Sequence, residues 1–371
     1  MNNEARTGFL RKLVDQVRSH EYPYEKRPKK NVNWSAYDLA QINETADMLD
    51  LIKDLVDAAD ARVRARHTPE KREPGRPPTS AADVAKVLLA QSYLGVSNRV
   101  AEGLLRLFWH NLGINSTFSY KTIERGYDRE AVNEILDEVM LLSNVPIQGL
   151  EKTFAIDGTG TPTHMKQSYA HDRERQNRER DRGGQEAAVR DAFPRGIREY
   201  VYSVGIVGTK YKLFASFQNT LDHSKGEAAF MPMAIAQTKA LHPGMEMLTG
   251  DGLHATRLAC QLTEDAGAVP RFLPKRNLNF KSYRSPAWIH MLMALSRDPK
   301  SWLRDYYQRE AVETANSMVV MENPYPLRKR LDVRRLTEDY LRRVDHNIRG
   351  LCYLAYLEDL KVSPKSWTTV A

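Results

Sequence analysis

The spacing of apolar residues changes period near Pro146. This change restricts the chain to a helical first part and a sheet-containing second part. Upstream, Phe9, Leu10, Leu13, Val14 and Val17 recur at helical spacing, as do Leu39, Ile42, Ala46, Leu49, Ile52 and Val56. Ser80 with Asp83 caps a third helix carrying Val84, Val87 and Leu88. Ser97 and Ser119 open two more, and Val132, Ile135, Leu136 and Val139 mark another. Downstream, the apolar run 154–156 delivers Asp157 into Gly158-Thr159-Gly160, which reads as a turn. Tyr200, Tyr202, Val204 and Ile206 then alternate with smaller residues. Gly208-Thr209 turns the chain, and Tyr211, Leu213, Ala215 and Phe217 return as the second arm of a β-hairpin. A helix over 227–241, a strand over 245–250, a helix over 256–266, a strand over 269–273 and a helical pattern from Trp302 complete the order. An antiparallel trio followed by strand–helix units predicts an α/β chain, with a mixed sheet flanked by helices and preceded by an all-α region.

The organisation expected from these breaks is N-terminal helices over 1–61, a basic Pro-rich linker over 62–79, a helical domain over 80–149 and a sheet domain over 150–371. The sheet domain carries a charged insertion at 164–198. The linker reads either as a solvated connection or as an arm that tracks DNA phosphates. The helices of 80–149 read either as a helix-turn-helix-like DNA reader, with Lys121 and Arg125 on an exposed face, or as a packing module. The 371 residues carry 55 Lys and Arg against 47 Asp and Glu, a net charge of +8 that favours a polyanionic partner. Cys260 and Cys352 lie far apart in apolar helical patterns and read as core thiols in a reducing, cytoplasmic compartment. No stretch approaches the roughly 20 apolar residues of a membrane span.

The chemistry resides in acids at strand ends. The first and fourth strands of such a sheet can lie side by side, so Asp157 and Asp251 would emerge from adjacent strand ends, and a helix crossing that edge would add Glu313. Three carboxylates at one point repel each other unless cations lie between them. All-oxygen ligands suit Mg²⁺ or Mn²⁺, and two ions about 3.5–4 Å apart serve phosphoryl transfer. Glu310, three positions before Glu313, is the rival third acid.

Four pieces in this order resemble the DDE transposases of bacterial and archaeal insertion sequences: Ile156-Asp157-Gly158-Thr159, Thr249-Gly250-Asp251-Gly252, Pro274-Lys275-Arg276-Asn277, and Tyr306, Arg309 and Glu313 at their helical spacing. The resemblance covers about residues 150–360 and implies a ribonuclease-H-like catalytic domain. It also implies catalytic metal ligands Asp157, Asp251 and Glu313 around two Mg²⁺ ions (Mn²⁺ substituting), with DNA contacts from Lys275, Arg276 and Arg309. The implied reaction is cutting of double-stranded transposon ends by water, then attack of the freed 3′-hydroxyl on target DNA, performed by a homodimer or larger assembly at the nucleoid. Two positions depart from the family: Val320 replaces a basic residue seven positions after Glu313, and His254 replaces a tyrosine three positions after Asp251. Two other readings remain: a transposase-derived DNA-binding protein that no longer cuts, and a metal-dependent nuclease of the same fold.

Overall fold

A computed structural model describes residues 3–23, 31–67, 79–115, 117–163, 200–222 and 224–367. The charged insertion and most of the basic linker lie outside the described residues. Among the described residues six α-helices precede the sheet: α1 (Asn3–Arg18), α2 (Trp34–Arg66), α3 (Ala81–Tyr93), α4 (Asn98–Phe108), α5 (Tyr120–Gly126) and α6 (Glu130–Leu142). Ser80, Ser97 and Ser119 each accept the N–H of the third residue on, so the predicted caps start α3, α4 and α5. The long α2 continues to Arg66, where Arg62 and Arg66 both reach the buried Glu138 on α6.

Five strands follow among the described residues, interleaved with helices: β1 (Thr153–Pro162), β2 (Tyr200–Gly208), β3 (Phe214–Thr220), α7 (Met231–Leu241), β4 (Met247–Gly250), α8 (Arg257–Asp265) and β5 (Val269–Phe272). After them come α9 (Pro286–Arg297), α10 (Pro299–Tyr306), α11 (Glu310–Glu322) and α12 (Asp332–Leu357). The sheet order is β3-β2-β1-β4-β5. β2 is antiparallel to β1 and β3, while β4 is parallel to β1 and β5. The expectation of a mixed sheet flanked by helices therefore holds.

Alternation along β1 separates two cores. Phe154 and Ile156 join the apolar residues of α1, α7, α8, α9 and α10 on one face. Ala155 joins α2, α3, α6, α11 and α12 on the other. Full burial of residues such as Phe154 and Ile156 stabilises the fold by roughly 1.5–3 kcal/mol each, which makes β1 a rigid support for Asp157. The last helix is buried on nearly all sides, because it runs between the sheet and the N-terminal helices. Its Asn347 accepts the N–H of Phe214 (2.7 Å) and donates to the same residue's carbonyl (2.9 Å), which docks the helix on the β3 backbone.

Two local expectations are corrected. Residues 158–160 are not a turn: β1 continues to Pro162 because β2 supplies partners all the way, from Asp157 opposite Gly205 to Pro162 opposite Tyr200. The helical pattern from Trp302 is not one helix either. It tightens into a 3₁₀ turn over Tyr307–Arg309, after which α11 begins. At this junction the Thr249 hydroxyl, which also lies 3.0 Å from the Arg271 carbonyl, sits 3.1 Å from the Tyr306 carbonyl, tying α10 to the end of β4.

Candidate active site

Strand register creates the site. Ile156 pairs with Gly250 in the parallel β1–β4 ladder, so the next residues, Asp157 and Asp251, stand at the same level on neighbouring strands. Gly250 keeps that ladder close, since a Cβ there would lie 2.8 Å from Ile156 Cγ2. Burial raises the Asp157 carboxyl to about 6, and the negative charges of Asp251 and Glu227 add to the effect. Burial also pushes Asp251 upward, but hydrogen bonds from the His254 ring and the Leu253 N–H outweigh it and hold this carboxyl below its ordinary value. One acid of the pair thus resists ionisation and the other favours it, which is the signature of negative charges crowded at one edge.

The pair has two flanks. By strand alternation Asp157 faces the side of Ala155, where α11 packs on β1 and β2. There Arg309 pairs with Glu313, and its guanidinium lies 5.6 Å from the Tyr306 ring centroid. Burial works against the Arg309 charge, but Tyr306, Glu313 and Asp157 together hold it above its ordinary pKa. The Glu313 side chain is 49% exposed. Glu310 is exposed as well.

On the opposite flank stand Tyr202, Glu227 and His254. The Tyr202 hydroxyl donates to Glu227 Oε1 at 2.8 Å. Gly158 makes room for this pair, since a Cβ there would lie 2.3 Å from Glu227 Oε1 and 2.7 Å from the Tyr202 hydroxyl. The His254 side chain is fully buried. Its Nδ1 lies 3.0 Å from Asp251 Oδ1 and its Nε2 lies 3.1 Å from Glu227 Oε2. The second contact lacks hydrogen-bond geometry, so Nε2 and Oε2 are both buried without a hydrogen-bond partner among the described residues. Glu227, Asp251 and His254 offer ligand atoms within 4.8 Å of one another. Three crowded carboxylates and two orphaned ligand atoms suit bound divalent cations.

The structure therefore brings Asp157 and Asp251 together and places Glu313 against Arg309. It adds two residues that the sequence reading did not select, Glu227 and His254. His254 had a visible signal, as the departure three positions after Asp251. Glu227 had none, because only the fold carries it from the start of a helical segment to Gly158 in the middle of β1 and to His254 after β4.

The other predicted basic residues are exposed or paired at the surface. Lys121 and Arg125 are exposed on α5, and Lys275 is exposed after β5. Arg276 pairs with Asp15 of α1 at 2.8 Å, a solvated contact of low energy. A separate cleft of about 300 Å³ lies where the α3–α4 turn and α5 meet the segment before α12, with Arg99, Arg328, Lys329, Arg330 and Arg334 on its walls. Burial lowers Lys329 to about 8, and its Nζ donates to Asn98 Oδ1 at 2.6 Å. The Leu327 N–H donates to the Pro162 carbonyl at 2.8 Å, which joins this segment to the far end of β1. At a strand rise of about 3.3 Å per residue, that end is roughly 16 Å beyond Asp157.

No helix among the described residues is long and apolar enough to cross a membrane. Comparison with protein-family models, curated proteins and solved structures returns no match for this chain.

Proposed function

We propose that this chain is a metal-dependent DNA strand-cutting and strand-joining enzyme of the DDE transposase kind, with a ribonuclease-H-like catalytic domain. The observation that carries the reading is the Asp157–Asp251 pair, side by side where the parallel β1–β4 ladder ends, in a sheet ordered β3-β2-β1-β4-β5. The net charge of +8 and the basic cleft beyond Pro162 support a nucleic-acid partner.

Asp157 and Asp251 are the residues that would hold divalent cations, with Glu313 as the third acid. The ions would supply charge compensation to the attacking and leaving oxygens of a phosphodiester. The protein's own part is positional. The β1–β4 ladder fixes the spacing of the two carboxylates. Thr249 fixes the α10–α11 junction against β4, and so sets where Arg309 and Glu313 stand. Arg309 orients Glu313 and presents positive charge toward Asp157. Lys121, Arg125, Lys275 and the cleft residues hold the DNA backbone. No side chain is needed as a covalent nucleophile, because a DNA 3′-hydroxyl serves in the joining step.

The engagement of Glu313 by Arg309 favours the second reading, a DNA-binding protein that does not cut. A plasmid carrying the DNA on either side of the gene separates these readings. With Mg²⁺, a transposase yields 3′-hydroxyl ends and joined products, a nuclease yields ends without joining, and a binding protein yields neither.

A further inference from the structure

We infer that His254 and Glu227, oriented by Asp251 and Tyr202, form a nitrogen-containing divalent-cation site that prefers Mn²⁺ or Zn²⁺ to Mg²⁺. The inference deepens the reading above, and rests on it only in treating the strand edge at Asp251 as a cation-binding edge.

The geometry is specific. A neutral His254 that donates its Nδ1–H to the Asp251 carboxylate turns its Nε2 lone pair toward Glu227 Oε2. An imidazole lone pair opposed to a carboxylate oxygen is repulsive, and neither atom has another partner among the described residues. A shared cation removes the conflict. With metal–nitrogen and metal–oxygen bonds of about 2.0–2.2 Å, two ligands of one ion lie about 3.0 Å apart at octahedral angles and about 3.4 Å apart at tetrahedral ones. The observed 3.1 Å falls between these limits.

The surroundings match a ligand set too. Asp251 at the far ring nitrogen and Tyr202 on the other Glu227 oxygen are the kind of hydrogen bonds that fix ligand orientation around metals. Gly158 leaves the space in which the Tyr202–Glu227 pair sits. A set containing imidazole nitrogen selects borderline cations over Mg²⁺, in contrast to the all-oxygen pair Asp157 and Asp251.

The test uses the full chain and Mn²⁺, with bound ions counted by loss of the free-ion electron paramagnetic resonance signal. Pulsed measurements then detect ¹⁴N coupling from a coordinated imidazole. The wild type should show one imidazole nitrogen on bound Mn²⁺, and excess Mg²⁺ should fail to displace that ion. Glu227→Gln should weaken this ion's binding at least tenfold, and His254→Gln should abolish the ¹⁴N coupling. Because His254 is buried, circular dichroism accompanies both variants; if His254→Gln fails to fold, the near-isosteric variant Glu227→Gln together with the wild-type ¹⁴N signal decides. Absence of ¹⁴N coupling in wild-type protein that binds Mn²⁺ overturns the site, as does unchanged affinity in Glu227→Gln. DNA cutting with Mg²⁺ but no ¹⁴N coupling rejects this site and leaves the proposed function standing. The reverse pattern retains the site and rejects the function.

Discussion

The two flanks of Asp251 are assembled differently. On the α11 side, Tyr306, Arg309 and Glu313 come from consecutive turns of one segment, and Arg309 meets Glu313 across a single helical turn. On the opposite side, Tyr202, Glu227 and His254 come from β2, from a 3₁₀ turn before α7 and from the loop after β4. The first flank is local and half-exposed, and the second is long-range and buried. A local constellation writes itself into residue spacing. An assembled one exists only after the strands choose their register.

The largest expected effect concerns the acids that both flanks share. Asp157→Asn and Asp251→Asn should each slow Mg²⁺-dependent nicking of plasmid DNA by about a thousandfold, since several kcal/mol of transition-state stabilisation are lost at about 1.4 kcal/mol per tenfold. Gel-shift affinity for the same DNA should stay within about twofold. Parallel loss of binding would show instead that these residues support structure.

The core under the start of β1 can be probed through His242. His242 is fully buried and packs its ring 4.9 Å from that of Phe154; its Nε2 lies 3.2 Å from Asn144 Oδ1. Burial lowers it from 6.5 to about 4. The unfolded chain therefore binds the proton first as pH falls, so stability drops between pH 6.5 and 4 and this contribution is constant below and above that window. The full loss is of order 3 kcal/mol, at 1.36 kcal/mol per pKa unit. Urea unfolding at pH 7 and pH 4.5 should show this slope, and His242→Gln should flatten it. An unchanged slope would remove His242 as its source.

A third change isolates the second flank. Gly158→Val places carbon where Tyr202 and Glu227 meet, and should weaken Mn²⁺ binding about tenfold, or about 1.4 kcal/mol, while Asp157 and Asp251 remain. The smallest effect belongs to the half-exposed flank: Glu313→Gln should change unfolding free energy by no more than about 0.5–1 kcal/mol, because solvent reaches the Glu313 carboxylate and screens its pair with Arg309. If Glu313 is the third acid, the same variant nonetheless loses strand cutting. Stability and activity would then separate at one residue.

Much of the sheet was legible in the chain, and for a physical reason. Alternation in 200–217 and acids at the ends of 153–156 and 247–250 are period-two signals with defined boundaries. The extension of β1 through Gly158-Thr159-Gly160 was not legible. Glycines signal turns when read locally, whereas here they admit Tyr200, Tyr202 and Glu227 side chains against a paired strand. The break at 307–309 was hidden likewise, since Tyr306, Arg309 and Glu313 keep helical spacing across a tightened turn. Glu227 was invisible because nothing near it in sequence announces a site. His254 was visible only as an unexpected residue, and its meaning required Glu227 at 3.1 Å.

On the proposed function, Asp157 and Asp251 act together in cutting DNA. The most direct measurement is Mg²⁺-dependent formation of 3′-hydroxyl ends on labelled DNA from either side of the gene, comparing wild type with Asp251→Asn at equal DNA occupancy. The wild type should cleave, and the variant should not cleave above background. Cleavage at the wild-type rate by Asp251→Asn would contradict that joint role.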